Sequence, residues 1–192
     1  MDIDLIIKVS LTIFVIILFP VYKKNYGLRN FLWLSDIGLF LTLFALWFKS
    51  PLLISIAVVG ILPLEIIWNI DFFVKLLSSY SICGLSNYMF DSKYSYALRS
   101  LSLFHVFMPL IWVYYLSKWG YDIGAFQYWL FLFWIILTVC YLFTSPKENI
   151  NWVFMPAKSN WDKISPLQWL LILMVVIPVF ISLPMHFILK HL

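Results

Sequence analysis

PLEIIWNIDFF, residues 63–73, places Glu65, Asn69 and Asp71 in a run that is otherwise Pro, Leu, Ile, Trp and Phe. The surrounding composition decides what solvent such a helix meets. The chain has 192 residues, 64% of them hydrophobic and 11% charged, with a mean hydropathy of +0.95. A soluble domain is about half apolar and about a quarter charged. Lipid is therefore the expected solvent, and residues 63–73 belong to a membrane-spanning helix that carries polar groups.

Working outward, segments of the ~20 apolar residues a span requires fall at 5–22, 31–48, 52–74, 98–116, 126–143 and 167–189. The expected fold class is all-α, a polytopic membrane protein with six transmembrane helices in a single bundle, residues 1–192 forming one domain. Breaker-rich stretches separate the segments: YKKNYGLRN, KSP, SKWGYDIG and the interval between Pro146 and Pro166. Pro20, Pro63, Pro109, Pro178 and Pro184 lie in or near helices, where neighbouring helices re-satisfy the freed carbonyls. The start, MDIDLIIK, is acidic where a secretory signal is basic, so the first helix is expected to stay in the protein. Cys83 and Cys140 have no paired spacing that points to a metal or redox motif.

Orientation follows from Lys and Arg. The connections after the first, third and fifth spans hold Lys23, Lys24, Arg29, Lys75, Lys93, Arg99, Lys147, Lys158 and Lys163, nine of the thirteen basic residues. The positive-inside rule puts these connections in the cytoplasm and both termini outside it. Basic loops beside anionic headgroups account for the net charge of +4 without nucleic acid. The expected neighbours are membrane lipids.

This orientation gathers polar residues at one level. Glu65, Asn69 and Asp71 lie toward the cytoplasmic end of the third span. Asp36 sits near the start of the second, Arg99 and His105 begin the fourth, and the fifth exits into Glu148, Asn149, Asn151 and Trp152. A charge at the bilayer centre costs ~2.5–3.5 kcal/mol, and less near the interface, so intramembrane ionisable groups mark sites by default. Glu65 and Asn69 share a helix face at i, i+4, and Asp71 points roughly 120° away from Glu65. His105 with Glu65 or Asp36 is the candidate catalytic pair, and Ser35 or a water is the nucleophile. Asn69, Asp71, Arg99, Asn149, Asn151 and Trp152 are candidate binding residues, Asn69 or Asn151 serving as polarising donors.

Each also has a structural reading. Asp71 pairs with Lys75 at i, i+4, Asp36 pairs with a buried Arg99, and His105 bonds a carbonyl across a helix interface. The aromatic residues read as interfacial belt and packing. Asp36, Glu65, Asp71 and His105 are donor types that suit Mg, Mn or Zn, but their spacing fits no metal motif, so no metal is expected and no cofactor is indicated.

The blocks FLWLSDIGLFLTLFALW, PLEIIWNIDFF, YMFD, LRSLSLFHVFMP, GYD and ENINWVF resemble a group of small bacterial membrane-associated proteins over residues 31–156. That resemblance implies a six-helix bacterial inner-membrane protein and carries over no catalytic residue. FHVFMPLIWVYY is similar to the His-x-x-x-Pro helix of the androgen-induced-type membrane hydrolases, six-helix enzymes acting on lipid esters with a Thr and a His. Only His105 and Pro109 match that pattern. In the second span, where the nucleophile is expected, this chain has Ser35, Asp36 and then Thr42.

Three functions stand on these residues. One is an enzyme acting on a lipid or lipid-like substrate at the cytoplasmic half of the bundle. Another is a non-catalytic membrane subunit or scaffold whose polar cluster receives a protein partner or locks the bundle. The third is a small proton-coupled carrier, against which stands the absence of an inverted repeat.

Overall fold

The computed structural model describes residues 2–156 and 164–191. Lys158 and Lys163, counted above with the cytoplasmic basic residues, lie outside them. The described residues form α1 (Ile3–Tyr26), α2 (Leu34–Phe48), α3 (Pro51–Gly60), α4 (Leu62–Ser78), α5 (Tyr96–Leu101), α6 (Phe104–Trp119), α7 (Ala125–Phe143), α8 (Pro166–Ile177) and α9 (Leu183–Lys190). Short 3₁₀ turns at Leu28–Leu32, Asn87–Phe90 and Ile150–Trp152 join them at one end of the bundle.

Ile3–Tyr26, Tyr96–Trp119, Ala125–Phe143 and Pro166–Lys190 are four stretches long and apolar enough to cross a membrane, and the bent pair α3–α4 makes a fifth. The protein is thus all-helical among its described residues, with four to five candidate spans. The sixth expected segment, α2, is apolar but has only 15 residues, short of the usual span. The large side chains on the outside are apolar: Leu110, Phe131 and Phe180 are each about 70% exposed. A surface of that kind matches lipid, since a protein in water rarely shows wide apolar patches.

Residues 52–74 are not one straight helix. α3 and α4 meet at Ile61 with a bend of 52°. Pro63 lies in the first turn of α4. It has no N–H for the Val59 carbonyl, and its ring crowds that carbonyl, so the helix breaks there. The break sends α3 through the middle of the bundle, packed on α2, α6 and α7, with residues 54–61 nearly or wholly buried. α4 leans outward, exposing Ile66, Ile67, Ile70 and Phe73 and turning Glu65, Trp68, Asp71 and Phe72 inward. Two other spans contain an irregular turn without a comparable bend, whereas α1 and α7 run unbroken. α5 and α6 join through Ser102 and Leu103, and a π-helical turn at Pro178–Ser182 links α8 to α9.

In the half of the bundle remote from the 3₁₀ turns, buried indoles are satisfied locally. Trp112 Nε1 donates to Thr42 Oγ1 at 2.6 Å, and Trp129 Nε1 donates to Ser182 Oγ at 2.9 Å. Thr42, the threonine in the stretch where a nucleophile was expected, is fully buried and also donates to the Gly38 carbonyl. Its hydroxyl is a helix-packing group.

Candidate functional site

The bend in α4 aims Glu65 at the first turn of α6. His105 Nδ1 meets Glu65 Oε2 at 2.7 Å, and the two residues are 8% and 3% exposed. An ionised Glu65 only accepts, and toward it Nδ1 is the donor, leaving Nε2 as the ring nitrogen outside this bond. Trp68 and Phe104 both stack on the imidazole with ring centroids 4.3 Å away. Asn69 Nδ2 donates to the His105 carbonyl at 2.7 Å and to the Glu65 carbonyl at 2.8 Å. One hydrogen bond, two stacked rings and a backbone tether therefore fix the imidazole. The i, i+4 spacing of Glu65 and Asn69 is the reason both reach the same neighbour.

Glu65 and His105 form part of the wall of a cavity of about 980 Å³, at the upper end of the usual range for ligand sites. Asp36 and Ser35 at the start of α2 line it, as do Tyr22 and Tyr26 of α1 and Tyr88 of the Asn87–Phe90 turn. Asp36 is 3% exposed. Its Oδ2 accepts from Asn30 Nδ2 at 3.3 Å, while Oδ1 has no hydrogen-bond partner. A buried unsatisfied group costs about 1–3 kcal/mol, and more when charged.

Arg99 does not neutralise Asp36, contrary to the expected pairing. Its Nη1 donates to the Met89 carbonyl at 2.8 Å, its guanidinium lies over the Tyr96 ring at 4.5 Å, and it is not part of the cavity wall. The short α5, ending before the Ser102–Leu103 break, carries it toward the Asn87–Phe90 turn.

Asp71 is also apart from the cavity, and it does not pair with Lys75, which donates to Asn87 Oδ1 and lies over Phe90. Its carboxylate instead accepts from the N–H groups of Cys83 (2.9 Å), Gly84 (3.2 Å) and Ser86 (2.9 Å). The hydroxyls of Ser81 (3.3 Å) and Ser86 (2.7 Å) add two more. Asp71 thus folds the loop that delivers Tyr88 to the cavity. Asp71→Ala strands these donors and is expected to cost about 3 kcal/mol, read as a lower thermal midpoint in detergent. An unchanged midpoint would rule out this role.

Asn149, Asn151 and Trp152 line the cavity, but the amides of both asparagines are already used. Asn151 Oδ1 accepts from Leu34 N at 3.0 Å and its Nδ2 donates to the Leu32 carbonyl at 2.7 Å. It caps α2 from 117 residues away, where Trp33 at the N-cap supplies no side-chain bond. Asn149 accepts from Phe154 N and donates to the Met155 carbonyl. Trp152 gives its carbonyl to Trp169 Nε1 and its ring meets Trp33 at 6.2 Å. Asn149, Asn151 and Trp152 adopt φ of 40°, 52° and 59°. Asn tolerates this region, whereas Trp152 is strained there.

At the mouth, Arg29 Nη1 meets Glu148 Oε2 at 3.2 Å. Glu148 also accepts from the hydroxyl and N–H of Ser145, and with Arg29 these hold its carboxyl below the ordinary value. A depressed carboxylate contributes stability above its unfolded value and loses it as pH falls through the folded one. The clasp is therefore present at neutral pH and released in acid.

Tyr22, Tyr88, Asn30, Ser102 and Trp68 are cavity residues that the sequence reading passed over as belt or packing. Tyr22 Oη and Ser102 Oγ share a hydrogen bond at 2.6 Å. Burial, with Tyr22, Glu65 and Asp36 nearby, holds the Tyr88 phenol above its usual range, so it remains a donor. Only the i, i+3 spacing of Trp68 from Glu65 marked any of them in advance. Among the described residues, no group of three or more His, Cys, Asp or Glu side chains is disposed to hold a metal ion. Comparisons with protein families, with characterised proteins and with solved structures return no match to this chain.

Proposed function

We propose that the chain is a multi-pass membrane enzyme that hydrolyses a lipid or lipid-like substrate from one face of the bilayer. The observation that carries this reading is the buried His105–Glu65 hydrogen bond on the wall of a large, one-sided cavity. In this reading the bundle makes six crossings: α1, α2, the bent α3–α4, α5–α6, α7 and α8–α9. The basic connections, and with them the cavity mouth, face the cytoplasm of a bacterial cell, and both termini lie outside.

His105 Nε2 takes the proton of a water, or of the Ser35 hydroxyl, as its oxygen attacks the substrate carbonyl. Glu65 stabilises the imidazolium, which then returns the proton to the departing oxygen. Asn69 and Asn151 spend their amides on backbone carbonyls, so the polarising donor is the Tyr88 phenol. The scaffold reading is disfavoured by the unpaired Asp36 Oδ1 and by the cavity itself. The carrier reading is disfavoured by residues 54–61 of the central helix, which are buried and mainly apolar.

Purified protein in lipid nanodiscs, assayed with a panel of lipid esters and amides, tests the proposal. Turnover of at least one substrate is expected, falling by roughly 10²–10⁴-fold in His105→Gln with the thermal midpoint retained. Turnover from none of them, or equal turnover in the variant, overturns it.

A further inference from the structure

We infer that the cavity selects a phospholipid whose headgroup ends in a primary ammonium; the inference rests on the proposed function and names its substrate class. The first ground is the pairing of charges. Asp36 and Glu65 both face the cavity, and His105 meets only Glu65. The two nearby arginines are committed elsewhere, Arg29 to Glu148 and Arg99 to the Met89 carbonyl and the Tyr96 ring. Among the described residues, no basic side chain meets Asp36.

The second ground is the acceptor left over. Asp36 is buried, and its Oδ1 has no donor. An N–H or O–H group satisfies it, whereas a quaternary ammonium has no proton to give. A hydroxyl supplies the hydrogen bond but not a cationic partner for the carboxyl. A primary ammonium supplies both. The surrounding walls are aromatic as well, Tyr22, Tyr26, Trp33 and Tyr88 lining the same space, and aromatic rings attract cations.

The third ground separates a lipid from a soluble amine. Leu64 and Ile67 of α4 line one side of the cavity and Leu173 and Ile177 of α8 another. α8 packs mainly on α7 and the turn that follows it, not on α4. Ile67 is 41% exposed on the outer surface, so this part of the wall is continuous with the face that meets hydrocarbon. An acyl chain lies along these residues while the headgroup reaches Asp36. Lys147, an exposed cation on the cavity wall near the Arg29–Glu148 clasp, is placed to meet the phosphate.

Phosphatidylethanolamine and phosphatidylcholine differ only in the methyls that remove the donors and are the decisive pair. Native mass spectrometry of delipidated protein with each lipid, and with phosphatidylglycerol as the hydroxyl-bearing anion, is expected to show retention of phosphatidylethanolamine about tenfold above the other two. Asp36→Asn is expected to abolish the preference while the thermal midpoint holds, since the near-isosteric amide keeps the size and the Asn30 contact of the buried carboxyl. Equal retention of phosphatidylethanolamine and phosphatidylcholine by the wild type overturns the inference, and that comparison needs no variant to fold. A preference that survives in folded Asp36→Asn also overturns it. Binding of chain-free glycerophosphoethanolamine as tight as that of the lipid overturns the lipid assignment. Each of these results leaves the hydrolase proposal standing on the His105→Gln assay.

Discussion

Gly60→Ala is expected to destabilise the protein by about 3 kcal/mol or more, against the ordinary preference for Ala over Gly in a helix. Helix propensity alone would make the change stabilising by ~0.8–1.0 kcal/mol. The contact outweighs it. A Cβ at Gly60 would stand 2.1 Å from Trp129 Cδ2 and Cε2 and 2.5 Å from Cε3. Trp129 is wholly buried and donates to Ser182 Oγ at 2.9 Å. It can yield only by breaking that bond or by pushing α7 off α3. The indole therefore rests on bare backbone just before the bend that aims Glu65. Gly38→Ala is the milder comparison, because the nearest atom, Trp112 Cζ2, lies 3.0 Å away and the next, Ile61 Cδ1, 3.2 Å. Thermal unfolding in detergent should rank wild type first, Gly38→Ala next and Gly60→Ala far below. A Gly60→Ala midpoint equal to wild type would mean that α3 and α7 do not approach so closely.

Glu65→Gln separates function from architecture. The Gln carbonyl can still accept the His105 Nδ1–H bond, so shape and hydrogen bonding survive while the charge goes. In the proposed mechanism that charge stabilises the imidazolium, and its loss is expected to lower turnover by about 10²–10⁴-fold. Stability should stay level or rise slightly, as it does when strain at a functional site is relieved. A structural ion pair behaves in the opposite way. Stranding its partner costs ~3–5 kcal/mol. Paired measurements of midpoint and turnover on the same preparation decide between the two. A large fall in midpoint would count for a scaffold.

The helical class and most of the apolar segments were legible in the sequence alone. Those properties are local or additive: hydropathy sums over about twenty residues, and helical spacing alone places Glu65 and Asn69 on one face. It could not assign partners. Glu65 and Asp71 look alike in sequence, two carboxylates six residues apart on one helix. Glu65 reaches His105, 40 residues away, while Asp71 folds the loop ending at Ser86, 15 residues away. Arg99 and Asp36, expected as a pair, never meet, because Arg99 turns toward the Met89 carbonyl. Asn151, which looked like a binding amide, caps α2 across 117 residues of chain. The cavity was equally invisible, since its tyrosines read as membrane-interface anchors until α1 and the Asn87–Phe90 turn were seen side by side. Periodicity specifies which face of a helix is polar. Only the bend at Ile61 and the packing of helices around it specify which neighbour that face meets, because a hydrogen bond depends on a few ångströms of separation that no spacing along the chain records.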